Sequence, residues 1–223
     1  MTAIAIFVKT PGLSPVKTRL ARTLGTEQAE ALYLECAATV AEVVGQASPN
    51  VYWAIAEPER QAAAHWPGLA HIAQGPGGLG ERMQRVLAAL VERHGSGLLL
   101  GADAPQIDAA LLRRACSWLS CDPPLNACGP ARDGGFWTFG ANHVPPLERW
   151  TRVPYSRPDT LQRFRESIGD ETEWLELPML SDLDTAEDMA RVAAELKRLH
   201  RPLPSQLALL ELLEGRQSAV RVL

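Results

Sequence analysis

The sequence predicts an α/β fold built on a mostly parallel, doubly wound sheet, and three observations carry that prediction. Short apolar runs alternate with amphipathic stretches from the first residues onward, and such alternation requires parallel strands joined by right-handed crossovers. Several runs are apolar without a polar residue at every second position, as strands covered on both faces are. The chain has 223 residues, 46% of them hydrophobic, enough for one large domain whose core needs no disulfide or metal staple.

Residues 3–8, Ala-Ile-Ala-Ile-Phe-Val, predict a buried first strand. Residues 26–45 predict a long helix with Thr26 as its cap and Gly45 as its stop. A second strand follows at 51–56. Residues 79–94 predict a helix because Met83, Val86, Leu87 and Leu90 recur at helical spacing. A third strand spans 97–101, and a helix capped by Asp108 spans 108–119. In the less regular second half, 125–128 and 136–139 predict strands around the turn Arg132-Asp133-Gly134-Gly135. A helix at 160–168, a strand at 173–177 and a helix at 185–199 complete this half. Leu207, Leu210 and Leu213 predict a C-terminal helix. The expected organisation is one domain over residues 1–200, with a helical tail at 201–223 packed on it or at a dimer contact, which leaves both a monomer and a homodimer open.

Composition narrows the function classes. The net charge is -4 and no long run of one sign occurs, which argues against a nucleic-acid partner. A local cluster of cations still suits a small anion. Cys36, Cys116, Cys121 and Cys128 form no C-x-x-C pair, so they read as small buried hydrophobes in a reducing compartment rather than as zinc ligands. The apolar N-terminal run is too short for a secretory leader, and no run reaches the length of a membrane span. The expected location is the cytoplasm.

The chemistry-bearing residues sit where a parallel sheet places its ligands, beyond the carboxyl ends of the strands. The loop after the first strand carries Lys9, Lys17, Arg19 and Arg22, and phosphate is the natural partner of such a cluster. The alternative is a solvated basic loop. A P-loop is rejected because its second glycine is missing and Pro15 has no N–H to offer. The stretch Gln74-Gly75-Pro76-Gly77-Gly78-Leu79-Gly80-Glu81-Arg82 runs from a glycine loop into a helix, as either an anion cradle or an ordinary helix start. Asp103 directly follows the third strand, a position that suits a ligand of Mg²⁺ or Mn²⁺; as a helix cap it is inferior to Asp108. Asp133 sits in a turn whose Gly134 and Gly135 permit close backbone approach, near a sugar, an acceptor or the metal. Trp137 beside it reads as core before it reads as a stacking platform. Asp182 and Asp184 project to one side if the chain is extended there. The pair then suits one metal; the alternative is a capping cluster with Asp184 or Thr185 as cap of the following helix, and both hold together if one aspartate caps while the other binds metal.

Taken in order, Lys9, Val16-Lys17-Thr18-Arg19-Leu20, Leu79-Gly80-Glu81-Arg82-Met83, Gly101-Ala102-Asp103-Ala104-Pro105, Asp133-Gly134-Gly135-Phe136 and Asp182-Leu183-Asp184-Thr185 resemble a bacterial family of GT-A nucleotide-diphospho-sugar transferases that includes glycosyltransferases of the arsenosugar-biosynthesis type. More loosely they resemble the phospholactate guanylyltransferases and the molybdenum-cofactor nucleotidyltransferases. The resemblance covers residues 3–198. It implies a three-layer, Rossmann-like GT-A fold that takes a nucleotide sugar or an NTP, a small-molecule acceptor and Mg²⁺ or Mn²⁺. It implies that Lys17 and Arg19 hold donor phosphates, that Asp103 binds the metal with Asp182 and Asp184 completing its site, and that Asp133 lies near the acceptor. Lys17, Asp103 and Asp133 are then the catalytic candidates, with Lys9, Gly80, Arg82, Gly134 and Gly135 around the substrate. Glycosyl transfer is the expected reaction; the alternatives are nucleotidyl transfer to a phosphorylated acceptor and a non-catalytic nucleotide-binding module. The chain departs from its relatives at Gly78, where they often carry an acidic or amide residue, and in having a single Asp103 where many glycosyltransferases have Asp-x-Asp.

Overall fold

The architecture comes from a computed structural model that describes residues 1–169 and 171–220. The expected tail therefore has its last residues, 221–223, outside the described residues. The chain runs β1 (Ala3–Val8), α1 (Thr18–Leu24), α2 (Thr26–Gly45), β2 (Val51–Ile55), α3 (Glu59–Ala62), β3 (Ala70–Ala73), α4 (Leu79–His94), β4 (Gly97–Gly101) and α5 (Ala109–Trp118). It continues through β5 (Leu125–Pro130), β6 (Phe136–Ala141), α6 (Leu147–Thr151), α7 (Thr160–Ile168), β7 (Glu173–Glu176), α8 (Ala186–Leu196) and α9 (Pro204–Val220).

The described strands form one sheet in the order β3-β2-β1-β4-β6-β5-β7. Only β6 runs against the others, antiparallel to β4 on one side and to β5 on the other. The order turns at β1: the chain leaves it for β2 and β3 on one side, then returns to pair β4 on the other. Ligands bind at such a switch point, beyond the strands' carboxyl ends. The register brings those ends level, with Phe7 opposite Gly101. The loops carrying Lys9 and Asp103 therefore emerge side by side.

Alternate residues of β1 explain the layers. Ile4, Ile6 and Val8 face the cluster that includes Val40 and Val43 of α2 and Leu112 of α5. Ala3 and Ala5 face the cluster that includes Leu87 and Leu90 of α4, Trp150 of α6 and Phe164 of α7. Burying an aliphatic side chain contributes about 1.5–3 kcal/mol, so both faces of the sheet are sealed. A third cluster joins Leu20 of α1, Leu32 and Cys36 of α2, Val192 of α8 and Leu209 and Leu213 of α9. The C-terminal helix thus packs on the body of the chain. Of the stripe read from the sequence, Leu213 is buried in this cluster and Leu210 packs against it, while Leu207 stays 47% exposed and Leu209 is buried in its place.

Two other expectations need correction. Thr26 is the first residue of α2 and Gly25 is its cap, with no side-chain cap bond. The cysteines are not uniformly buried: Cys36 and Cys128 are, Cys116 is half-buried, and Cys121 is exposed. Asp108 does cap α5, accepting from the Ala110 N–H at 2.8 Å. Among the described residues no helix is long and apolar enough to cross a membrane.

Candidate active site

The site is built around Lys17, the residue that starts α1. Its backbone is left-handed, with φ 45° and ψ 39°, a conformation that costs a non-glycine residue roughly 1–2 kcal/mol. The turn aims the side chain inward, where it is only 5% exposed. Lys17 Nζ donates to Asp103 Oδ2 and to Asp184 Oδ1, both at 2.7 Å. Burial works against the ammonium's charge, but the two carboxylates outweigh it and hold its pKa above the usual lysine value. Arg19 takes the other oxygen of Asp184 at 2.6 Å.

Local structure delivers the partners. Asp103 leaves the end of β4, and its carbonyl accepts the N–H of Leu183 at 2.9 Å. Leu183 is fully buried, so it pins the segment between Asp182 and Asp184 against β4. The cap of α8 is Thr185, in a reciprocal capping box with Asp188. That frees the Asp184 carboxylate for Lys17 and Arg19, which hold its pKa below the usual carboxylate range despite burial. Asp182 differs: its Oδ1 is buried without a partner. Burial first, then Asp103 and Asp133, push its pKa up to about 9 against the pull of Lys17.

Three adjoining cavities open from this centre. The first, about 270 Å³, runs from Lys17, Asp103 and Asp184 past Lys9 to Tyr33, Gln74 and Leu79. The second, about 230 Å³, holds Arg19, Arg132 and Arg191 with Asp133, Asp182 and Asp184. The third, about 240 Å³, is lined by Asp133 and Asp182 together with Leu79, Phe136, Tyr155 and Arg157. Asp133 is exposed in the turn between β5 and β6, where its Oδ1 accepts the Gly135 N–H at 2.8 Å.

The fold thus brings Lys17, Arg19, Asp103, Asp133, Asp182, Asp184, Lys9 and Gly135 to one cleft. It does not bring Gly80, Arg82 or Arg22 to the cleft wall. Gly80 is buried where a Cβ would collide with the Trp150 carbonyl and the Tyr155 ring, so it lets α4 pack on α6. Arg82 Nε donates to the Gly77 carbonyl at 2.9 Å and steadies the glycine loop. Arg22 is exposed on α1. Gly134, at φ 90°, lies under the Pro158 carbonyl, with no room for a Cβ. Trp137 is core, its Nε1 donating to the Pro178 carbonyl at 3.0 Å, with one edge on the third cavity.

Tyr33, Tyr155 and Arg157 were not singled out in the sequence, and Gln74 entered only as the first residue of the glycine stretch. For Arg157 a signal existed: the residue before a proline is kept out of helix, which places Ser156-Arg157-Pro158 in a loop just before α7. The two tyrosines look like ordinary core residues by type and position.

The donor set suits a hard divalent cation. It consists of carboxylate oxygens, one of them buried and unpartnered. Among the described residues no three Asp, Glu, His or Cys side chains form a ready-made cage.

The chain belongs to a bacterial family described as "Uncharacterized protein conserved in bacteria (DUF2064)", whose profile matches residues 39–157, just over half of its length. No match is found among the curated proteins. Among solved structures, a protein of Desulfovibrio desulfuricans G20 with the inferred description nucleotide-diphospho-sugar transferase is 24% identical. Its alignment covers 99% of this chain and 96% of that one, at a TM-score of 0.81. A cytidylyltransferase from Leptospira borgpetersenii serovar Hardjo-bovis is 16% identical over 98% of this chain and 96% of that one, with a TM-score of 0.57. Rv0371c of Mycobacterium tuberculosis H37Rv, in complex with manganese, is 18% identical over 86% and 98%, with a TM-score of 0.51. The fold is that of the nucleotide-diphospho-sugar transferases.

Proposed function

We propose that this chain is a metal-dependent transferase that takes its donor in nucleotide-activated form, with glycosyl transfer from a nucleotide sugar to a small-molecule acceptor as the leading reaction. The observation that carries this reading is the buried ammonium of Lys17 held at 2.7 Å from both Asp103 and Asp184, at the switch point of the sheet and between adjoining cavities. A cation fixed there neutralises a diphosphate, and its charge is already organised before the substrate arrives.

The first cavity receives the nucleotide, with its phosphates at the Lys17 end. Lys17 and Arg19 bind the diphosphate, and Lys9 flanks it. Asp103, Asp182 and Asp184 would hold the Mg²⁺ or Mn²⁺. The bound ion would supply further neutralisation of the leaving diphosphate. In the transfer step the acceptor oxygen forms a bond to the anomeric carbon. The bond from that carbon to the phosphate oxygen breaks, and its electron pair stays on the diphosphate. Asp133 orients the acceptor hydroxyl and receives its proton. Most of the acceleration comes from positioning and charge stabilisation.

Nucleotidyl transfer is the second reading. The lone Asp103 in place of an Asp-x-Asp pair and the likeness to a cytidylyltransferase favour it. In that reaction an acceptor phosphate attacks the α-phosphorus of an NTP and pyrophosphate leaves with the electron pair.

The test is thermal stability against a panel of NDP-sugars, NDPs and NTPs, with and without Mn²⁺. A ligand at a hundred times its Kd stabilises the folded state by about 2.7 kcal/mol. The expected result is a shift that needs both Mn²⁺ and one nucleotide, and that Asp103→Asn removes. Preference for an NDP-sugar, with NDP released on turnover, selects glycosyl transfer; preference for an NTP selects the second reading. Absence of stabilisation by any nucleotide overturns both.

A further inference from the structure

The third cavity has walls of a particular kind. Phe7, Leu79, Met83, Phe136, Trp137 and Tyr155 supply its apolar surface. Its wall also carries hydrogen-bonding side chains, but several are already engaged elsewhere. Tyr155 Oη donates to the Trp150 carbonyl at 3.0 Å. Thr160 Oγ1 lies 3.3 Å from the Pro154 carbonyl, to which it donates, and accepts the Arg157 N–H at 3.0 Å. Trp137 Nε1 donates to the Pro178 carbonyl. A polyhydroxylated ligand placed here would lose its water partners and regain few, at a cost of about 1–3 kcal/mol for each group left unpaired.

The rest of its polar lining is Asp133, Ser156, Arg157 and Asp182. Asp182 Oδ1 is buried without a partner, and Asp133 accepts the Gly135 N–H through Oδ1. Arg157 pairs through Nε with Asp159 Oδ1 at 3.3 Å. Asp159 is bonded through its other oxygen to Arg163 at 2.6 Å, and its Oδ1 accepts no hydrogen bond from any described residue. Asp159 is thus shared with Arg163, and the two terminal nitrogens of Arg157 are left for a carboxylate or phosphate.

The backbone fixes this arrangement. Ser156 has φ 62° without being glycine, a strained state that persists only where its surroundings enforce it. The following residues press on Gly134, where only a missing Cβ allows the Pro158 carbonyl to approach. The Leu161 N–H then donates to the Gly134 carbonyl at 2.8 Å. These contacts clamp the Arg157 loop onto the turn that carries Asp133, and both line the same cavity.

We infer that this cavity is the acceptor site and that its acceptor is an aromatic hydroxy acid: an apolar ring in the slot, a hydroxyl towards Asp133 and an anionic group on Arg157. The inference rests on the transferase reading, of which it names the second substrate. The probes are para-hydroxyphenylacetate, its neutral analogue 2-(para-hydroxyphenyl)ethanol, and glucose. Each is titrated by calorimetry into the protein alone and into the protein with Mn²⁺ and the nucleotide panel. The hydroxy acid is expected to bind and glucose not. Arg157→Gln, at an exposed position, should weaken the hydroxy acid about tenfold, the usual scale for one charge-assisted contact, and leave the neutral analogue unchanged. The inference is overturned by no binding of either aromatic probe in both conditions, by tighter binding of glucose, or by an unchanged affinity of the acid in Arg157→Gln. Failure of nucleotide and Mn²⁺ to stabilise the protein instead overturns the transferase reading, so the two failures are distinct.

Discussion

Replacing Lys17 by methionine keeps the length of the side chain and removes its charge, which makes it the sharpest probe of the centre. The ammonium satisfies two carboxylates at 2.7 Å each. Stripping one partner from a fully buried ion pair costs about 3–5 kcal/mol. Here Asp103 and Asp184 are 28% and 31% exposed, and Arg19 still holds Asp184, so solvent and the second cation offset part of that loss. We expect a destabilisation of about 2 kcal/mol, or a Tm lower by about 4–8 °C for a chain of this size. The orphaned carboxylates should then bind a divalent cation more tightly. Mn²⁺ should raise the Tm of Lys17→Met more than that of the unaltered protein. Diphosphate binding should fall by about 1.5–3 kcal/mol, the scale of a charge-assisted hydrogen bond. Scanning calorimetry with and without Mn²⁺, followed by NDP titration, measures all three. A variant as stable as the parent, with the same Mn²⁺ response and the same NDP affinity, would refute the role of Lys17 as the organising cation.

Three further outcomes follow from packing and titration. Gly134→Ala places a Cβ against the Pro158 carbonyl at a positive φ and should cost about 2–4 kcal/mol; an unchanged urea midpoint contradicts the tight approach. With a disulfide reagent at pH 8, exposed Cys121 should react first. Cys116, pushed up to about 11 by burial, should lag, and Cys36 and Cys128, pushed up to about 12 by burial, should stay silent until the protein unfolds. Rapid reaction of a second thiol in the folded protein argues against this. Burial, helped by Arg149, lowers the pKa of His143 below 6.5. Because the folded state then binds the proton less readily than the unfolded chain, His143 contributes stability that is complete above pH 6.5 and lost as pH falls from there through its lower folded-state pKa. His143→Gln should flatten the Tm profile between pH 7 and pH 5, and an unaltered slope would show that another group sets it.

The parts of the fold that the sequence displays are those held by burial. β1, β2 and β4 are continuous apolar runs because both faces of the sheet are covered, and α4 shows its stripe because one face meets the sheet. What is hidden is held by other forces. In β3 only Ile72 is buried; it is ordered by its backbone pairing with β2, to which any residue contributes. Helix α1 has seven residues, too few to be stable alone, and exists because Leu20 enters the cluster shared with α2, α8 and α9. The reversed direction of β6 follows from the five-residue connection to β5, which can close only a hairpin. That connection is visible in the sequence, but its place beside β4 is not.

The same division runs through the site. The charged residues are legible one by one, because lysine, arginine and aspartate at strand ends have few structural reasons to be there. Their pairing is not. Lys17 lies 86 and 167 positions from its two partners, and what unites them is a bond between backbone groups, Leu183 N–H to Asp103 carbonyl, which no residue type signals. Nor does sequence mark a lysine that must adopt a left-handed backbone, since that conformation is announced by glycine or asparagine. Yet the two hidden features depend on each other. With an ordinary φ, Lys17 would send its side chain in another direction and leave Asp103 and Asp184 facing one another with only Arg19, on Asp184, to offset their charge. The strain of roughly 1–2 kcal/mol at its backbone is smaller than the loss of about 2 kcal/mol or more that the separation of charges would bring, and the attraction is therefore sufficient to hold the strained turn in place. A ligand that took over the two carboxylates would remove that restraint. The start of α1 should then relax as Lys17 is freed, which couples cation entry to the loop that carries the phosphate-binding charges. Amide exchange at Thr18 and Arg19 that quickens on addition of Mn²⁺ would be the sign of that coupling; exchange that slows or stays constant would show that the turn is held by packing of Leu20 alone.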